Sequence, residues 1–147
     1  MRGYAAIGLD NPKTPANMGS VLRAAGCYQA AMVAFGGPRP SRLRATKCLT
    51  DTQKAYRHIP TLWTEDLHSV IPVDCVPVAV DLIEGAISLI EYKHPERAFY
   101  VFGAEDATLG SRVTDWCRDV IYVPTNYCMN LAASVNVVLY DRLSKQP

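Results

Sequence analysis

The sequence predicts an α/β fold, a mostly parallel sheet flanked by helices, and three observations carry that prediction. Short runs of apolar, β-branched or aromatic residues bounded by Gly, Pro or Asp recur at 3–9, 30–35, 76–82, 98–103 and 119–123, and they read as strands. Ala30 to Phe35, Val76 to Val80 and Ala98 to Phe102 are apolar at every position, as strands covered on both faces are. Helix-like stretches fall between the strands, at about 17–28, 64–71, 111–117 and 130–144, which gives the strand–helix–strand alternation of crossover connections.

Ligands of such sheets sit outside the carboxyl ends of the strands, so the loops that follow strands are the places to search. The first, Asp10-Asn-Pro-Lys-Thr-Pro-Ala-Asn-Met-Gly-Ser20, runs into a helix carrying Arg23. Asn17 is a favoured helix N-cap there, Gly19 permits close backbone approach, and Arg23, nearly two turns on, offers a planar five-donor fork. The second loop puts Gly103 and Glu105 at the end of a buried strand, where a carboxylate is costly without a partner. The third, Val123 to Asn130, ends on an Asn before an apolar helix, again a natural N-cap. In that last helix Leu131, Val135, Leu139 and Leu143 recur every four residues, with Val138 and Tyr140 widening the apolar surface.

The chain of 147 residues suits one domain over 1–147, and 49% hydrophobic with 20% charged residues is globular rather than disordered. No apolar run reaches the roughly 18 to 20 residues of a membrane span, and the opening residues do not form a signal peptide, so a cytoplasmic location is expected. Five scattered cysteines without metal-ligand spacing argue against a disulfide scaffold or a zinc site. No Gly-x-Gly-x-x-Gly follows the first strand and no P-loop is present, which argues against a nicotinamide dehydrogenase or a P-loop nucleotidase. The net charge of +1 gives no whole-chain argument for nucleic acid. Yet Arg39, Arg42, Arg44, Lys47, Lys54 and Arg57 cluster against the single acid Asp51, a run that suits either phosphates or a solvated face.

Three segments stand in order: Asn17-Met-Gly-Ser-Val-Leu-Arg23, Phe102-Gly-Ala-Glu105, and Val123-Pro124 followed by Met129-Asn-Leu and Ser134-Val-Asn-Val-Val-Leu-Tyr-Asp141. Together they resemble the three motifs of the SpoU (TrmH) family of SPOUT RNA methyltransferases, and within it the small TrmL-type tRNA methyltransferases that lack a separate RNA-binding domain. The resemblance implies a carboxyl-terminal deep trefoil knot, S-adenosylmethionine as cofactor, a ribose 2′-hydroxyl as acceptor, and a homodimer paired through the first and last helices, with no metal and no membrane.

By position it implies Asn17, Arg23, Glu105 and Asn130 as catalytic. The cofactor would be held by Val80, Asp81 and Leu82, by Phe102, Gly103 and Glu105, and by Ile121, Val123, Pro124, Met129 and Leu131. Arg39, Arg42, Arg44, Lys47 and Arg57 are the expected RNA contacts. The pattern also has departures: Ser20 stands for a second Asn, Ala104 to Thr108 lacks the usual sequence after the second motif's Gly, and Ala132 and Ala133 replace Ser and Asn. Cys128 replaces a Ser and is expected to be a small buried thiol rather than a nucleophile. A catalytically inactive RNA-binding homodimer is the alternative that these departures favour.

Overall fold

The computed structural model describes residues 3–40 and 48–146. Seven strands form one sheet in the order β3-β2-β1-β6-β4-β7-β5, and every neighbouring pair is parallel. The elements along the chain are β1 (Tyr4–Asp10), α1 (Pro15–Cys27), β2 (Met32–Gly36), β3 (Thr61–Thr64), β4 (Val76–Val80), β5 (Ile87–Ser88), β6 (Arg97–Phe102), α2 (Ser111–Thr114), β7 (Asp119–Tyr122) and α3 (Leu131–Ser144). Single 3₁₀ turns occupy Ala55–Arg57 and Leu67–Val70.

The five predicted strands are all present. β3 and β5 are additional: β3 is a half-buried edge strand and β5 has only two residues, so neither carries the continuous apolar run of a covered strand. The helix expected at 64–71 is a 3₁₀ turn instead. Asp66 caps it by accepting from the His68 amide at 3.1 Å, and the chain leaves helical geometry at Ile71, just before Pro72. α1 begins two residues earlier than expected. Thr14, not Asn17, is its N-cap, with Oγ1 accepting from the Asn17 amide at 3.3 Å and Pro15 in the first turn.

Side chains alternate across the central strands, so each face of the sheet has its own core. Ile7, Leu9, Val33, Phe35 and Tyr100 pack under α1 and α3 with Met18, Leu22, Val135 and Leu139. Ala6, Ala34, Ala79, Phe99 and Val101 pack on the other side with Leu67, Leu109 and Val113. Gly8 is required there, since a Cβ would lie 2.5 Å from the Phe99 ring.

The last helix is fixed to the loop that leads into β6. Arg142, 1% exposed, donates from Nη1 to the Pro95 carbonyl at 2.6 Å and the Tyr100 hydroxyl at 3.1 Å, and from Nη2 to the Glu96 carbonyl at 2.6 Å. His94 lies between the Tyr100 hydroxyl at 2.6 Å and the Asp141 carboxylate at 2.8 Å. The Lys145 ammonium reaches Asp141 at 2.9 Å and the carbonyls of Ile90 and Tyr92 at 3.0 and 3.2 Å. β7 is inserted between β4 and β5. Three of the four stripe residues of α3, Leu131, Val135 and Leu139, are buried in the chain's own core together with Val138, while the fourth, Leu143, and Tyr140 are exposed.

Candidate active site

At the carboxyl ends of β1 and β6, three loops meet through one hydrogen-bonded chain. Glu105 is its hub. Oε2 accepts from the Lys13 amide at 2.9 Å, and Oε1 accepts from the Asn17 side-chain amide at 2.8 Å, the Thr14 hydroxyl at 3.1 Å and the Thr14 amide at 3.4 Å. Asn17 in turn accepts from the Asn130 Nδ2 at 3.0 Å. Asn130 is the N-cap of α3, its Oδ1 accepting from the amides of Ala132 at 2.9 Å and Ala133 at 3.2 Å.

The cap fixes the direction of the whole chain. Backbone N–H groups claim the Asn130 oxygen, so its nitrogen must face the Asn17 oxygen, and the Asn17 nitrogen must face Glu105. Each amide nitrogen has two N–H groups and spends one here, which leaves each with a donor. Burial lifts the Glu105 carboxyl, but bonds from Asn17, from its own backbone amide and from those of Lys13 and Thr14 outweigh it and hold the group below its usual range. Glu105 is therefore an ionised, well-satisfied anchor rather than a base.

Beside this chain lies a cavity of about 820 Å³ bounded by the loops after β4, β6 and β7. Nine of the eleven residues expected to hold a cofactor line it: Val80, Asp81, Leu82, Phe102, Gly103, Glu105, Val123, Met129 and Leu131. Ile121 is fully buried in the core behind it, and Pro124 is exposed outside its lining. The Asp81 carboxylate is occupied internally, accepting from the amides of Leu82 at 2.8 Å and Leu109 at 2.9 Å and so tying the first wall to the second. Cys128, expected to be buried, is exposed on the cavity wall.

Arg23 is not part of the hydrogen-bonded chain. Six residues beyond Asn17 on α1, it points about 120° away around the helix. It is exposed and makes no hydrogen bond or ion pair among the described residues. Of the expected RNA contacts, Arg42, Arg44 and Lys47 lie outside the described residues. Arg57 rests over the Tyr56 ring at 5.9 Å, and Arg39 is bound to Asp106 at 2.9 Å. Sequence reading missed Lys13 and Thr14, which present the donors to Glu105, and Asp10, which binds Arg112 with contacts of 2.9 and 2.7 Å. The Thr-Pro pair at 14 and 15 was the available signal for a cap at Thr14.

Fold and site define a class, a parallel α/β domain with an amide–carboxylate chain gathered from three loops at the carboxyl ends of its strands. The chain belongs to the SpoU rRNA Methylase family, whose sequence profile matches residues 4–140. Among solved structures it is similar to the SpoU methyltransferase AviRb from Streptomyces viridochromogenes, with a TM-score of 0.84 and 18% identity over 98% of this chain and 62% of that one. An AdoMet-bound rRNA methyltransferase from Sinorhizobium meliloti gives a TM-score of 0.83 and 18% identity over 98% of this chain and 57% of that one. The chain thus spans about three-fifths of the length of these relatives. A third structure, described as giving insight into 2-OH methylation of C/U34 on tRNA, gives 0.81 and 21% identity over 98% of this chain and 99% of that one. No curated protein matches the sequence.

Proposed function

We propose that the chain is an RNA methyltransferase that uses S-adenosylmethionine to methylate a ribose 2′-hydroxyl of tRNA, working as a homodimer. The observation that carries this reading is the Glu105–Asn17–Asn130 chain at the edge of the cavity, in a member of the SpoU family. A cavity of about 820 Å³ is large enough for a nucleoside-sized cofactor. Val80, Phe102, Val123, Met129 and Leu131 give it apolar walls, and the ionised Glu105 carboxylate favours a cation at its edge, so the residues fit the group. Bound there, S-adenosylmethionine supplies an electrophilic methyl on a sulfonium.

The chain's own residues then have separate tasks. Glu105 stays ionised and orders the loop after β1, and the spare N–H groups of Asn17 and Asn130 are donors for an oxygen of the substrate. A ribose hydroxyl is a weak nucleophile, so orientation and charge handling supply most of the rate. Arg23, with its fork open to solvent, grips an RNA phosphate and stabilises the developing alkoxide. A guanidinium offers donors and no acceptor, so the hydroxyl proton passes to the phosphate or to water.

Two matches bear on the RNA. The tRNA-related neighbour is matched over nearly all of both chains, which supports tRNA as substrate, while the longer relatives include an rRNA methyltransferase. The test is methyl transfer to bulk tRNA and bulk rRNA followed by nucleoside mass spectrometry. A 2′-O-methylnucleoside in tRNA is expected. Base methylation, or RNA binding without transfer, would replace this reading, the latter with the inactive RNA-binding dimer.

A further inference from the structure

We propose that Arg39 is a positioning residue for the Glu105 site: it joins the loop after β1 to the loop after β6 and so holds Glu105 against its donors. Its Nη1 and Nη2 donate to the two oxygens of Asp106 at 2.9 and 3.0 Å, a bidentate pair on the residue next to Glu105. Its Nε donates to the Asn11 carbonyl at 3.1 Å, Nη2 adds a second bond to that carbonyl, and its backbone amide donates to Asn11 Oδ1 at 3.1 Å. Asn11 is itself held by its amide on the Gly36 carbonyl at 2.7 Å. Gly37, at φ 95°, lies so close that a Cβ would be 2.8 Å from the Asn11 side chain. The exits of β1 and β2 are thus one packed unit, and Arg39 extends that unit to the β6 loop.

Four of the five guanidinium N–H groups are spent in this bridge. To grip a phosphate Arg39 would have to release Asp106, which is why we assign it to the protein rather than to RNA. The paired side chains are 34% and 45% exposed, so the bridge adds little to global stability and its effect belongs to the geometry of the loops. The charged groups around Glu105 are Arg39, Asp106 and Lys13. If the loop loosens, Glu105 loses donors and its carboxyl rises toward its ordinary value, moving the acid limb of activity to higher pH.

This inference rests on the proposed methyltransferase reading for its kinetic readouts but not for its structural one. The variants are Arg39→Ala, Asp106→Asn, the double variant and Arg39→Lys, read by amide hydrogen exchange at Lys13 and Thr14 and by steady-state kinetics. Both single variants should speed exchange at those amides and lower kcat by about tenfold, with RNA KM and its salt dependence unchanged. The acid limb should move to higher pH, the double variant should be no worse than either single one, and Arg39→Lys should recover only part. A rise in RNA KM with a salt slope flattened by about one unit in Arg39→Ala, but not in Asp106→Asn, would make Arg39 a phosphate contact and overturn the proposal. Unchanged exchange and kcat in both single variants would also overturn it. An inactive wild type would fail the functional reading alone, since exchange still tests the bridge.

Discussion

The two ends of β6 carry polar clusters of opposite character. At its start Arg142, His94 and Tyr100 are buried and bonded to carbonyls, a hydroxyl and Asp141. At its end Glu105, Asp106 and Asn130 are exposed, equally well bonded, and several of their partners keep unused donors. The number of hydrogen bonds does not separate them. Access to water does, and it makes one end a fastening and the other a site.

The largest effect should come from breaking the fastening. Arg142→Met leaves two carbonyls and a hydroxyl facing an apolar side chain, and about 3 to 5 kcal/mol of stability should be lost. Urea unfolding measures this, and activity per folded molecule should survive. A loss below about 1 kcal/mol would show that the buried end is not closed. Outside both clusters, on α1, Arg23→Ala should cost about 10² to 10³ in single-turnover methylation, roughly 3 to 4 kcal/mol, with little change in urea midpoint. Calorimetry with S-adenosylhomocysteine should show near-normal cofactor affinity, and Arg23→Lys should also fall far short. Many-fold weaker cofactor binding with a normal saturated rate would instead place Arg23 in the cofactor pocket.

Asn130 belongs to both kinds of structure, so two substitutions can divide its roles. Asn130→Ala should lose about 1 kcal/mol of stability as a cap and methyl transfer as well. Asn130→Asp keeps the cap but has no N–H for Asn17, so stability should hold while activity falls. Wild-type activity in Asn130→Asp would deny the amide chain its orienting role. The smallest effect is a pH dependence at the buried end. Burial lowers the His94 pKa from its ordinary 6.5 against the pull of Asp141, and Arg142 and Lys145 lower it further, with Tyr92 and Tyr100 completing its surroundings. The unfolded chain then binds the extra proton first, so stability should decline as pH falls below about 6.5 and be regained above it. Thermal melting across that range should show a slope that His94→Gln reduces.

Much of the fold was legible because covered parallel strands leave uninterrupted apolar runs, as Ala98 to Phe102 does. β3, with Thr at both ends and an exposed Leu62, leaves no such trace. Asn130 was readable as a cap because it stands directly before an apolar helix, whereas the Asn17 amide is turned to Glu105 by a contact 88 residues away. The basic run from Arg39 showed charge but not that Asp106 would neutralise its first member. The burial of Arg142 did leave a signal, since it continues the inward row of Val135, Val138 and Leu139 at helical spacing.

The sheet order has a consequence for how the protein comes into being. β6 inserts between β1 and β4, so the central pairing joins residues about ninety positions apart, and the Asn130–Asn17 bond spans 113. Contacts of such separation bear their loop-closure entropy before any reward and slow the search for the native state. A nascent chain released before α3 has the cavity walls after β4 and β6 but neither Asn130 nor the helix that Arg142 fastens. Competence at the site therefore waits on α3, and a chain still lacking that helix contributes none of it.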